Sequence, residues 1–409
     1  VAGKTITVAS VSTGKLQPVW YTKGPGRWEV VVMVMVLGRA TAAWVGTLVM
    51  SLGLGVPLTP TLAVAPNAGA LLPCDIYAGA GTPCVAAHSV TRALYTGYTG
   101  PLYAVRRLSD NTTTNVGVAT PGGVADAAVQ DEYCAHVTCT IATIYDQSPH
   151  GNHLVAAPGR RGHIDLEVNA SKEPLTLGGR KVYAAYFERV PAGHPKEVGV
   201  GYRIDNTSGI AKGDDPETLY MVTSGTHYNG ACCFDYGNAE NHIGDDGAGT
   251  MEAISWTNGT WGMSHHGVGR GPWVMADLEN GLFGSNLING TKSTESSITG
   301  ATFVTAMVKG DRGNHWAIKG GDATNASDLR TLYDGVRPCT THGGNLTDCQ
   351  HAPNYNPMRK QGAIILGIGG DNSHGAVGTF YEGVITTGYS SDEADQAVHA
   401  NIVAAGYGR

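Results

Sequence analysis

Nine apolar runs of five to eight residues recur along this chain: Thr140–Tyr145, Lys181–Phe187, Leu219–Thr223, Met251–Trp256, Trp273–Leu278, Thr302–Val308, His315–Lys319, Ala363–Ile368 and Thr379–Thr386. Most are closed by Gly, Asn, Asp or Pro, and runs this short between such residues read as strands. Their spacing is too irregular for a propeller, and no internal repeat underlies them. Glycine makes up 58 of 409 residues, while Lys, Arg, Asp and Glu together reach only 15%. A turn-rich, weakly charged chain of this kind predicts an all-β sandwich of antiparallel sheets packed face to face. Short helices are expected at the margins, over Cys84 to Leu94 and Val124 to Ala135. A closing helix is expected to be capped by Ser390 or Ser391, with Val398, Ile402 and Val403 on its apolar face. The net charge of −7 gives no basic stripe for nucleic acid.

The first 70 residues read differently. No charged residue occurs from Ala40 to Cys74, Arg39 stands just before that run, and Ala68-Gly69-Ala70 follows its apolar centre. A positive flank, an apolar core and a small-residue site predict a secretory signal, with cleavage near Leu71. Residues 1–70 are then an extension plus signal, and 71–409 form the sandwich domain, with no membrane span in the mature form. Eight cysteines fall into four close pairs in sequence, and N-x-Ser/Thr sequons begin at Asn111, Asn169, Asn206, Asn258, Asn289, Asn325 and Asn345. Both features point to an oxidising, extracellular setting. The expected pairs are Cys74–Cys84, Cys134–Cys139, Cys232–Cys233 and Cys339–Cys349. Zinc is the competing reading, but no pair has the CxxC spacing of a zinc ribbon.

Three stretches carry chemistry. In GPWVMADLENGLF (Gly271–Phe283) an apolar strand ends in Asp277, Glu279 and Asn280. Side chains two apart on a strand point the same way, so Asp277 and Glu279 form a carboxylate pair at a sheet rim. A strand end simply reaching solvent is the bland alternative. The stretch THYNGACCFDYGNAE (Thr226–Glu240) contains adjacent Cys232 and Cys233. Across a trans peptide their Cα atoms would be ~3.8 Å apart, short of the ordinary disulfide range. Each could instead pair elsewhere, although the other six cysteines already have near neighbours. In ILGIGGDNSHG another apolar strand ends in Gly369-Gly370-Asp371-Asn372. Glycine there permits close approach of backbone to a ligand, and a turn with an Asx motif is the plain alternative.

Together with PCDIYAGAGTPCVAAHS (Pro73–Ser89), TRALYTGYTGPLY (Thr91–Tyr103), IYDQSPHGNHL (Ile144–Leu154) and GTFYEGVITTGY (Gly378–Tyr389), these stretches closely resemble the catalytic domain of the family 54 glycoside hydrolases, fungal α-L-arabinofuranosidases of the B type. The resemblance runs from Cys74 to the C-terminus and implies a concanavalin A-like β-sandwich. It implies Glu279 as nucleophile and Asp371 as general acid/base. It places Asp277, Asn280 and Gly370 at sugar-contacting positions, Cys232–Cys233 as a vicinal disulfide in the sugar pocket, and Trp261 as a pocket tryptophan. The match covers the catalytic domain without the family's C-terminal arabinose-binding β-trefoil, and the Cys339–Cys349 loop reads as an insertion.

The resulting expectation is a secreted, monomeric, retaining exo-glycosidase. It would remove terminal α-L-arabinofuranosyl groups from arabinan- or arabinoxylan-type plant cell-wall polysaccharides. Two carboxyls suffice for that chemistry, so no cofactor or metal is expected. Glu279 is expected to be held ionised by hydrogen bonds from Asn280 or backbone amides. Asp371 is expected to be kept protonated by nearby negative charge and partial burial. Glu240 and Glu382 are rival acids. The alternatives are a lectin-like binding sandwich without catalysis, an enzyme with substantial β-xylosidase side activity, and a thiol redox protein. The last is disfavoured because no Lys or Arg stands close in sequence to activate a thiol.

Overall fold

The computed structural model describes residues 71–260, 264–279, 281–285, 290–292, 295–337 and 357–409, and every structural statement here concerns these residues. They form two large sheets. The first runs, in spatial order, Gly290–Lys292, Arg330–Val336, His315–Asp322, Phe303–Gly310, Glu217–Ser224, Gly378–Thr387, Arg180–Phe187 and Glu173–Leu177, with Cys84–Ser89 also paired to Gly378–Thr387. The second runs Ser264–His265, Leu282–Phe283, Trp273–Asp277, Glu252–Thr257, Asp235–Ala239, Ala363–Leu366, Tyr202–Ile204, Leu154–Ala156, Cys139–Ile144, Pro101–Arg107 and Thr113–Gly117. The strand pairings are antiparallel except Ser264–His265 against Leu282–Phe283. This is the expected all-β sandwich.

Alternation along the second sheet assigns its faces. Tyr236, Ile254, Trp256, Val274, Ala276, Ile364 and Leu366 enter the main core between the sheets. Their neighbours Ala239, Ala253 and Ile365 join a separate small cluster, and Trp273, Met275 and Leu282 another. Successive side chains on a strand point to opposite faces, so these small clusters lie on the outer face of that sheet. Asp235 shares its parity with Ala239, and Asp277 shares its parity with Trp273 and Met275. The strand pattern therefore puts both acids on the outer face.

The nine expected strands all form, with ends shifted by a residue or a few. The helix expected over Cys84 to Leu94 does not. Cys84–Ser89 is a strand with all six residues buried, paired from Cys84↔Thr386 to Ser89↔Glu382. A short continuous apolar run cannot be assigned to helix or buried strand by period alone, and here the partner strand decides. A helix at Pro73–Gly79 was not expected, while Ala127–Tyr133 lies inside the range anticipated for the second one. The closing helix is Asp392–Ala405. Ser391 caps it by accepting from Ala394 N at 3.2 Å, and Val398 and Ile402 are buried while Val403 is half-buried. This helix covers the outer face of the first sheet through Asp395, which takes 2.7 Å contacts from both Lys309 and Lys319.

Disulfides join Cys74 to Cys84, Cys134 to Cys139 and Cys232 to Cys233, with Cα separations of 5.5, 5.8 and 3.0 Å. The peptide between Cys232 and Cys233 is cis, which corrects the trans geometry assumed from sequence. Residues 1–70, Trp261, Asn280 and the Cys339–Cys349 loop lie outside the described residues.

Candidate active site

Four acids meet on the outer face of the second sheet. Asp235 and Asp277 stand on the strands flanking Glu252–Thr257, where the intervening partners are Ser255 and Ala253. These small residues leave room for the two carboxyls to meet over the middle strand, and Asp235 lies against both Ser255 and Asp277. Glu240 follows the Asp235–Ala239 strand directly, and Glu279 follows Trp273–Asp277. All four are buried. Glu279 does not continue the strand as its spacing suggested. Its φ is +62°, and its N–H donates to Asp277 Oδ1 at 3.0 Å. A left-handed backbone at a residue other than glycine is uncommon and costs of order 1–3 kcal/mol, and such strain concentrates at working sites. The tight Asx turn puts Glu279 beside Asp277, with a reversed backbone in place of strand alternation.

The crowding shows in the protonation preferences. Burial, followed by the charges of Asp277, Glu240, Asp245 and Asp371, pushes the Glu279 carboxyl up to about 11. Burial is also the main cause for Asp277, which is pushed up to about 7 although Asp235 and the Glu279 N–H hydrogen-bond to it. Burial raises Asp235 and Glu240 as well. The expectation that hydrogen bonds hold Glu279 ionised is thus corrected: acid neighbours and desolvation favour its protonated form.

Asp371 arrives from the other side, in the loop after Ala363–Leu366, and its charge acts on Glu279, Asp277 and Asp235. Its setting also differs from the one anticipated. Arg160 Nη2 ion-pairs with Asp371 Oδ2 at 2.7 Å, and Arg160 Nε and Nη2 donate to the Asp371 carbonyl at 3.1 and 2.9 Å. Ser373 N donates to Oδ1 at 2.8 Å, and Asn372, itself at φ +62°, anchors the loop to buried Asp165 at 2.8 Å. The carboxyl is about one quarter exposed, with a side-chain accessibility of 27%. A cation that no nearby sequence position announces therefore faces it.

Between the two strand ends lies the vicinal disulfide. Cys233 Sγ is 3.6 Å from Asp277 Oδ2, and a Cβ on Gly369 would stand 3.3 Å from the same sulfur. Both sulfurs are consumed in the disulfide, so neither offers a thiolate to a metal or a redox partner. A Cβ on Gly370 would fall 2.1 Å from Glu240 Oε2, so a larger residue there would displace that carboxyl. Arg203, on the strand between Leu154–Ala156 and Ala363–Leu366, ties these ends together. It is fully buried and donates to the carbonyls of Gly370 at 2.6 Å, of His242 at 2.7 Å and of Glu240. Beyond the Asp371 loop opens a cleft of about 440 Å³, whose walls include Glu188, Arg189, Lys196, Ala231, His374 and Gly375.

The structure thus gathers Asp277, Glu279, Gly370, Asp371, Cys232 and Cys233 in one place. Of the rival acids, Glu240 belongs to the cluster. Glu382 does not, because it is ion-paired to buried Arg92 and accepts from Tyr220 at 3.1 Å and Tyr407 at 2.7 Å. Asp235, Arg160 and Arg203 were missed. The signal for Asp235 was available, since it sits in the same DYGNAE stretch as Glu240 and two residues after Cys233.

Comparison with known proteins agrees with this architecture. The family model for the catalytic part of α-L-arabinofuranosidase B matches residues 73–408. A probable α-L-arabinofuranosidase B of Aspergillus terreus is 53% identical over 343 residues, covering 82% of this chain and 62% of that protein. An α-L-arabinofuranosidase of Hypocrea jecorina is 52% identical over 343 residues, covering 82% of this chain and 63% of that protein. The chain therefore spans less than two thirds of the length of these relatives. Similar solved structures include a family 54 α-L-arabinofuranosidase soaked with a cyclic sulfate inhibitor, and an arabinofuranosidase complexed with arabinofuranosyl-α-1,2-xylobiose. Each superposes with a TM-score of 0.72 at 49% identity, covering 82% of this chain and 66% of the other. The chain belongs to the α-L-arabinofuranosidase B catalytic family.

Proposed function

We propose that this protein is a secreted retaining α-L-arabinofuranosidase that removes terminal arabinofuranosyl groups from arabinan- and arabinoxylan-type polysaccharides. One observation carries the reading. Glu279 and Asp371, 92 residues apart in sequence, are brought by the fold to one buried carboxyl cluster, where the charge of Asp371 acts on Glu279. Retaining glycosidases work with two such carboxyls, one nucleophile and one acid/base. Glu279 attacks the anomeric carbon. Asp371 gives a proton to the departing oxygen and then activates water against the glycosyl-enzyme ester. Asp277 holds a sugar hydroxyl, and the disulfide forms a flat apolar floor beside it.

The test is kinetic. Glu279→Gln should abolish turnover of 4-nitrophenyl α-L-arabinofuranoside. Asp371→Gly should lose turnover of poor leaving groups and recover with azide, giving an arabinofuranosyl azide of retained configuration. Arabinose release at near-normal rate by Glu279→Gln, or an azide product of inverted configuration, would overturn the assignment. Arabinoside binding without any turnover by the wild type would establish the lectin reading.

A further inference from the structure

The loop that carries Asp371 is anchored at several points. Asp371 meets Arg160, Asn372 Nδ2 donates to buried Asp165 at 2.8 Å, and the Gly375 carbonyl accepts from Asn229 Nδ2 at 3.0 Å. His374 supplies another anchor. Its Nδ1 stands 2.7 Å from the Asn372 backbone carbonyl, in its own loop, and 3.1 Å from Asn372 Oδ1. Its Nε2 stands 3.1 Å from the Lys196 backbone carbonyl, in the segment 188–198, most of which walls the cleft. Each of these partners is a carbonyl oxygen, which accepts and never donates. Neutral imidazole carries one N–H and imidazolium carries two, so the ring serves both backbone carbonyls only as imidazolium. Charged groups surround it. A Cβ on Gly199 would stand 2.8 Å from Asp165 Oδ2 and 3.1 Å from the His374 ring, which places buried Asp165 close by on one side. The cleft walls add Glu188, Arg189, His194 and Lys196, of which Glu188 is ion-paired to Lys172 at 3.1 Å. On its own loop stands Asp371, paired with Arg160.

We propose that His374 is a positioning residue for Asp371: as imidazolium it ties the acid/base loop to the segment 188–198 and so fixes where Asp371 delivers its proton. The inference rests on the reading of Asp371 as acid/base. When the ring gives one proton to water, one N–H bond breaks and one of the two backbone carbonyls loses its donor. The Nε2 contact is the longer and more exposed of the two, so the link between the segments is the one given up. Imidazoles change charge between about pH 5 and 8. The link is complete at the acid end of that range and is lost as pH rises through it. Its loss loosens the loop three residues from Asp371, and a general acid acts only within hydrogen-bond reach of the leaving oxygen. Leaving groups that need a proton feel that loss, and activated ones do not.

His374→Phe keeps a flat ring at this place and removes both donors. The quantity to measure is the quotient of kcat/KM for phenyl over 2,4-dinitrophenyl α-L-arabinofuranoside, since departure of the second needs no acid. At pH 5 this quotient should be about twofold to tenfold lower in His374→Phe than in wild type, the range that one hydrogen bond implies. By pH 8 the two proteins should agree. Comparing them cancels the titration of Asp371, which both share. Nitrogen NMR of protein labelled with ¹⁵N-histidine should show both His374 ring nitrogens protonated at pH 5, the resonances being assigned by their absence from His374→Phe. An unprotonated ring nitrogen at pH 5, equal quotients at pH 5, or the same ratio between the proteins at pH 5 and pH 8 would overturn the role of His374. Asp371→Gly tests the reading beneath it and should lose the phenyl substrate far more than the dinitrophenyl one. If it loses both alike, the acid/base assignment falls, and the NMR still decides the state of the ring. Should His374→Phe not fold, His374→Gln assigns the resonances and the wild-type spectrum decides.

Discussion

Replacing Glu279 by Gln should make the protein more stable at neutral pH while disabling it. In the unfolded chain Glu279 ionises at the ordinary value of 4.5, but burial and the surrounding acids push it up to about 11 in the folded protein. The folded state therefore holds a proton that the unfolded state has released. Stability is full below the unfolded value and falls as pH rises through the window up to the folded one, by about 1.4 kcal/mol per pH unit for one such group. At pH 7.5 this amounts to about 4 kcal/mol at most, and to about 2 kcal/mol if half the effect passes to Glu240 when Glu279 is neutralised. A glutamine has no proton to lose and escapes the penalty. For a domain of roughly 340 residues the unfolding entropy is about 0.7 kcal/mol/K, so the variant should melt ~3–6 °C above wild type. Thermal unfolding at pH 4.5, 6.0 and 7.5 is the assay. The difference should be near zero at pH 4.5 and grow with pH. A difference that is constant with pH, or a variant less stable than wild type at pH 7.5, would refute the account of the cluster.

Two further outcomes are expected elsewhere. Arg160→Met removes the half-exposed clamp on the Asp371 side chain and carbonyl, so it should lower kcat/KM for phenyl arabinofuranoside by up to about fivefold; an unchanged value would count against a positioning role. Lys360→Met strands buried Glu217 and Glu252, its partners at 3.0 and 2.8 Å, and should cost about 3–5 kcal/mol at pH 7.5. Burial, and then the charge of Glu252, holds Glu217 up at about 7 despite Lys360, so the loss should shrink at pH 5, where Glu217 is protonated; equal losses at both pH values in urea unfolding would exclude this cause.

The sandwich was legible because its long central strands are apolar runs between turn residues. Asp277 and Glu279 were legible for the same reason, as acids where such a run stops. The geometry that unites them was not, since alternation says nothing of a left-handed turn at Glu279. The Asp235–Ala239 strand went unread because DYGNA holds three residue types that strands avoid, and it forms only because Glu252–Thr257 and Ala363–Leu366 flank it. With that strand unread, Asp235 had no face to be assigned to. Arg160 and Arg203 were invisible for a simpler reason: Arg160 meets Asp371 211 residues further along the chain, and Arg203 meets the carbonyls of Glu240 and Gly370 37 and 167 residues further on. Local pattern carries no record of such contacts, and they decide which acids are paired with a cation.

Arg203 also bears on the order in which the protein assembles. Its guanidinium closes one contact over 37 residues, to Glu240, and another over 167, to Gly370. The longer closure costs only about 1 kcal/mol more in chain entropy, but it cannot form until nearly the whole domain has been synthesised. Before then the buried guanidinium lacks an acceptor, and the Glu240 end of the sheet lacks its neighbour. A nascent chain can thus pair the strands from Glu217–Ser224 to Arg330–Val336 before Gly370 emerges, while the strand Gly378–Thr387 and the acid cluster are both still to come. The acid cluster is then completed late, when the segment around Gly370 docks beneath a cation laid down much earlier in translation.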